Sequence, residues 1–122
     1  VYDTFCMVRD QYRVGFIVIT HDLLLARKFC ERIVVMYCGR VLETNAAREL
    51  FEHPRHPYTQ GLIASLPHLG MKPMAGFSPA FTDQPSGCVF HPRCPYAEAR
   101  CRHTEPKSIP CGEGSVCCHR YA

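Results

Sequence analysis

The segment Val14-Gly15-Phe16-Ile17-Val18-Ile19-Thr20 runs without a charge and is rich in β-branched side chains. A continuous apolar run of this length reads as a strand buried on both faces, the pattern of a parallel sheet. Thr20, His21 and Asp22 follow at its carboxyl end, where open α/β sheets bind their ligands. Asp22 or Thr20 is placed to cap a helix that continues through Leu23, Leu24, Ala26, Arg27 and Cys30. Ile33 to Tyr37 predicts a further strand. Cys38-Gly39-Arg40 predicts a turn, and Val41 to Thr44 the returning strand of a hairpin. Upstream, Val1, Phe5, Val8 and Tyr12 recur at helical spacing. The chain thus begins inside a helical pattern, which reads as a fragment whose upstream part is missing.

Downstream, Asn45 is in position to cap a short helix that ends near His53, with Pro54 as its stop. His56-Pro57-Tyr58-Thr59 opens another helix, with Pro57 near its first position, that reaches about Leu66. By their chemistry these four residues make a helix start with a buried tyrosine, not a catalytic group. Residues 67–86 hold four prolines and little periodicity, the mark of a linker or surface strap. From Gly87 onward the pattern is short turns and cysteines with few large apolar residues. Burial alone would build little core there, so a cross-link or metal is expected to hold it.

The 122 residues suffice for one small domain or the tail of a larger one. Apolar residues make up 47% and charged residues 20%, a globular balance rather than a disordered one. No apolar run approaches the roughly 18 residues of a membrane span, and no secretory leader is visible. The formal charge of +3 is spread among interspersed acids and bases, which gives no nucleic-acid footprint.

Six of the 9 cysteines fall between Cys88 and Cys118. Cys6, Cys30 and Cys38 stand singly in apolar surroundings and read as small hydrophobes. The later cluster points to a metal or a cofactor. Cys88, Cys94, Cys101 and Cys118 provide four thiolates for a tetrahedral zinc or an iron–sulfur cluster, although their spacings match neither common zinc knuckles nor ferredoxins. Cys111 and Cys117 are spare thiols, and His91, His103 and His119 are alternative ligands. Arg93, Arg100 and Arg102 lie beside them and would stabilise thiolates. His21 can reach an anion with one ring nitrogen while the other is held. On spacing alone it serves equally as a capping or packing residue. There is no GxxxxGK[ST] phosphate loop, no nucleophile elbow and no paired-carboxylate constellation.

In order, these pieces resemble the C-terminal end of an ATP-binding subunit of the oligopeptide/dipeptide (peptide/nickel) branch of ABC transporters. Ile19-Thr20-His21-Asp22-Leu23 resembles the switch-histidine segment. Glu31 through Glu43 resembles the strand-turn-strand that follows it. His53-Pro54-Arg55-His56-Pro57-Tyr58-Thr59 and Leu62 through Pro67 resemble the peptide-transporter extension. Pro85-Ser86-Gly87-Cys88, Phe90, Pro92 through Ala97, Cys101 and Cys118-His119 resemble its cysteine module. Departures include Arg13 for a common Gly, Cys38 and Cys117 for Ala, Ala75 for Pro, and Thr44-Asn45 for Glu-Gly.

The resemblance implies an α/β fold. Residues 1–54 would form the C-terminal part of a P-loop ABC nucleotide-binding domain, 55–86 the extension and linker, and 87–122 a small, irregular cysteine-rich module. It implies that His21 contacts the γ-phosphate of ATP, with Mg2+ as cofactor, and that Asp22 orients the loop. It implies a [4Fe-4S] cluster, in preference to zinc, on Cys88, Cys94, Cys101 and Cys118. A second ATP-binding subunit and two transmembrane permease subunits would be the partners, at the cytoplasmic face of the membrane. Peptide would not touch this chain directly. The family's phosphate loop, signature motif and catalytic glutamate lie upstream of the matched region, so these 122 residues alone are expected to be inactive. Two rival expectations are a standalone iron–sulfur or zinc redox module and a non-functional remnant.

Overall fold

The computed structural model describes residues 2–70 and 72–122. Val1, part of the helical spacing read above, lies outside them. The first helix, α1, spans Tyr2–Tyr12, and α2 spans Leu23–Phe29. Of the two capping candidates for α2, Asp22 is the N-cap, and Thr20 braces the turn before it. The Asp22 carboxylate accepts the Leu25 N–H at 3.1 Å, and the Thr20 hydroxyl accepts the Asp22 N–H at 3.0 Å. The hairpin follows as β1, Arg32–Tyr37, and β2, Arg40–Ala46. Cys38 and Gly39 both take positive φ, at 50° and 76°. That is the backbone twist a two-residue antiparallel turn demands.

Two expectations fail here. Residues 14–20 form no strand and lie exposed, with Ile17 and Ile19 each 97% accessible. A run of this composition becomes a strand only beside another strand, and no described strand lies beside it. The sheet is also antiparallel throughout, in the order β1-β2-β4-β3. Its third and fourth strands come from the cysteine-rich end, β3 at Ile109–Cys111 and β4 at Gly114–Val116. Glu43 lies opposite Val116 in that ladder, and Thr44 opposite Ser115.

Helix α3 covers Ala47–Glu52, and its N-cap is Ala46 rather than Asn45. Asn45 is held in the sheet instead. Its side-chain Nδ2 donates to the Cys111 carbonyl at 3.2 Å, and its Oδ1 accepts the Ala46 N–H at 3.0 Å. Helix α4 spans Pro57–Ala64, two residues short of the expected end, with His56 as N-cap. Helix α5, Ala99–His103, is a single short segment in the cysteine-rich region.

The inward residues of β1 alternate strictly and serve two neighbouring cores. Ile33 and Val35 pack with Ala47, Leu50, Ile63 and Leu66. Tyr37 packs with Leu42, Cys88, Val89 and Phe90. Tyr58 joins the two, with ring centroids 4.7 Å from Tyr37 and 5.3 Å from Phe90. Each buried large side chain contributes about 1.5–3 kcal/mol. Among the described residues no helix is long and apolar enough to cross a membrane.

Candidate functional site: the HPYT helix start and the cysteine pocket

His21 and Asp22 sit on the exposed approach to α2. Asp22 is spent on the helix cap, and His21 does not border the cysteine pocket described below. The fold therefore presents His21 to solvent at a helix entrance.

The chain between α3 and α4 is fixed more firmly. Glu43 is 0% exposed. Its carboxylate accepts the Arg55 N–H at 3.0 Å and the His56 N–H at 2.7 Å. A buried carboxylate is tolerable because it meets donors ahead of a helix N-terminus. The Arg55 side chain forms an ion pair with Glu49 at 2.7 Å, which holds the Glu49 carboxyl below its usual range. The Tyr121 hydroxyl donates to the Arg55 carbonyl at 2.8 Å. Strand β2, helix α3 and the chain's C-terminal turn thus converge on one dipeptide.

His56 lies beyond this anchor and is 1% exposed. Its Nδ1 accepts the Tyr58 N–H at 3.0 Å. Burial pushes its imidazole down to about 4, so the ring is neutral at pH 7. Nε2 has no partner among the described residues. Neither Glu43 nor His56 emerged from the sequence as a site residue. The visible signal for His56 was its place immediately before Pro57, which makes it the N-cap by counting.

The four cysteines singled out from the sequence, Cys88, Cys94, Cys101 and Cys118, line one small pocket of about 20 Å3, together with His56 and Phe90. Local turns bring them there. The Cys88 N–H donates to the Cys101 carbonyl at 2.8 Å, and the Cys94 N–H to the His91 carbonyl at 3.2 Å. Burial pushes the thiols of Cys88, Cys94 and Cys118 up. Against that, each sulfur receives a backbone N–H from two residues on, at Phe90, Tyr96 and Arg120 respectively. Neighbouring thiols would repel as thiolates, so the four are compatible with one another only as neutral thiols or around a cationic centre.

The remaining candidates are sorted elsewhere. The Cys117 sulfur interacts with Ser108, and Cys111 lies near Arg55. His91 engages the Cys88 carbonyl through Nδ1, and His119 the Thr104 carbonyl through Nε2. Arg93 is drawn to the Ala75 carbonyl, and Arg100 to the His119 carbonyl. Among the described residues no group of three or more His, Cys, Asp or Glu could hold a metal ion. The compact tetrahedral zinc arrangement, which needs all donors about 2.3 Å from a single point, is therefore not formed.

Residues 42–101, which include Glu43, the HPYT segment and three of the four pocket cysteines, match the model of the oligopeptide/dipeptide transporter, C-terminal region. That match covers about half of the chain. The dipeptide transport ATP-binding protein DppD of Haemophilus influenzae is 42% identical over 111 residues, covering 87% of this chain and 34% of that protein. DppD of Caldanaerobacter subterraneus is 38% identical over 120 residues, covering 93% and 37%. DppD of Escherichia coli K12 is 41% identical over 104 residues, covering 81% and 32%. The chain belongs to the ATP-binding protein family of oligopeptide/dipeptide transporters. It spans about a third of the length of the curated relatives it matches.

Proposed function

We propose that this chain is the C-terminal part of an ATP-binding subunit that drives peptide import. The supporting observation is the alignment with dipeptide transport ATP-binding proteins across 87% of its length. In this reading residues 1–54 complete a nucleotide-binding domain, 55–86 carry the extension, and 87–122 form the cysteine-rich end. His21 contacts the γ-phosphate of Mg2+-bound ATP once the rest of the domain stands opposite it, and Asp22 holds the turn through its cap. Such catalysis is chiefly positioning and electrostatics, so an exposed histidine on a capped helix entrance is suited to it. The partners are a second ATP-binding subunit and two permease subunits at the cytoplasmic membrane face.

A chimera tests this reading. The chain replaces the matched C-terminal third of the Haemophilus influenzae protein in cells that lack that protein. Dipeptide uptake returns with the chimera and is lost with His21→Ala at equal abundance. An abundant chimera without uptake, or full uptake by the His21→Ala form, would count against it.

A second reading concerns the cysteine pocket, and the donor set there supports it. Cys88, Cys94, Cys101 and Cys118 would hold a [4Fe-4S] cluster. When bound, such a cluster cross-links the thiolates and lends the region the cohesion its sparse apolar content lacks. The amides of Phe90, Tyr96 and Arg120 supply N–H donors to three of the sulfurs. Iron and acid-labile sulfide in equal amounts after anaerobic reconstitution is the expected analysis. A folded chain that takes up neither would rule the cluster out.

A further inference from the structure

The ring of His56 uses one nitrogen and leaves the other unmatched. Nδ1 accepts the Tyr58 N–H at 3.0 Å, which fixes the neutral tautomer with its proton on Nε2. That N–H is buried and has no acceptor among the described residues. A buried donor left unmatched is costly, so an acceptor is expected where it points. The ring borders the pocket that holds the four cysteine sulfurs. Its other neighbours there include the Phe90 ring at 5.7 Å, and His91 and His119, each of which spends one ring nitrogen on a carbonyl. The placement is also over-determined. Glu43 grips the His56 backbone N–H, and Pro57 fixes the next φ.

We propose that His56 is a positioning residue whose Nε2–H donates to a sulfur of the cysteine-bound iron–sulfur cluster. This rests on the cluster reading above and deepens it. Three backbone amides already face sulfurs in this pocket, and the imidazole adds a side-chain donor. It also gives the helix start a task beyond packing. The HPYT segment would couple the extension to the cysteine-rich end through a single hydrogen bond.

Two isosteric variants separate the roles of the ring. In His56→Asn the amide oxygen occupies the position of Nδ1, so the helix cap is kept and the distal donor is lost. In His56→Gln the amide nitrogen occupies the position of Nε2, so the donor is kept. The 122-residue chain is reconstituted anaerobically with ferrous iron and sulfide, and iron loss to a chelator is timed. Loss from His56→Asn is expected to be about tenfold faster than from the unaltered chain, with His56→Gln within about twofold of it, as for one hydrogen bond to a charged acceptor. Equal rates in all three, or His56→Gln as fast as His56→Asn, overturn the proposal. Independently of the variants, long-range 1H–15N spectra of the loaded, unaltered chain should show a slowly exchanging His56 Nε2–H. A rapidly exchanging one also overturns it. If the folded, unaltered chain takes up no iron, the cluster reading itself has failed, and that is seen before any variant is compared.

Discussion

The carboxylate of Glu43 holds the backbone of His56 through a 2.7 Å hydrogen bond, and the imidazole of that histidine is what makes the site sensitive to acid. His56 is held neutral by burial, its imidazole pushed from 6.5 to about 4. Below pH 6.5 the unfolded ring takes up a proton that the folded ring refuses. Stability from this group is therefore complete above pH 6.5, falls as pH drops towards 4, and levels off below that. In the metal-free chain we expect a loss of about 2 kcal/mol between pH 7 and pH 4.5, read by urea unfolding. His56→Asn should flatten that slope, and an unchanged slope in the variant would place the titrating group elsewhere. Glu49, held low by the Arg55 guanidinium, adds a further loss at more acid pH. None of this was legible in the sequence. A glutamate in a strand and a histidine before proline carry no mark of burial, because the burial comes from residues far along the chain.

Among the elements, those built from neighbours in sequence were legible. The hairpin of β1 and β2, the cap of α2 and the proline start of α4 all follow from local chemistry. Asn45 was misassigned because its partner, the Cys111 carbonyl, lies on a strand that no local pattern announces. The apolar run at 14–20 was misassigned for a related reason, since strand propensity without a neighbouring strand leaves its amides unpaired. In the cysteine-rich end, one glycine sets the geometry. Gly87 has a φ of +69°, and a Cβ there would strike the carbonyl of Cys101, the group that accepts the Cys88 N–H. Gly87→Ala is expected to destabilise the chain by about 2 kcal/mol and to loosen the approach of Cys88 to Cys101. Chemical denaturation measures the first effect. A variant as stable as the unaltered chain would show that this backbone can relax without cost.

Across the whole molecule, order is unevenly distributed. The antiparallel sheet packs on the two adjoining cores, and Tyr121 in the chain's last turn reaches the Arg55 carbonyl between α3 and α4. On its other side Val34, Met36 and Val41 stand exposed, as do Ile17 and Ile19. Amide exchange follows backbone hydrogen bonding and local packing, so it reads this contrast directly. We expect the amides of residues 14–20 to exchange at nearly the rate of an unstructured peptide, and those paired within Arg32–Ala46 to be the most protected of the chain. Protection at 14–20 equal to that of β1 would mean that the segment finds strand partners in solution, by self-association if it varies with concentration. The same measurement on the chimera gives the prediction its second half. If residues 14–20 complete a nucleotide-binding sheet there, protection should appear across them while the β1–β2 hairpin is unchanged. If they stay unprotected in a chimera that restores uptake, His21 is not mounted on a strand at all, and its γ-phosphate contact would have to be made from an ordered turn.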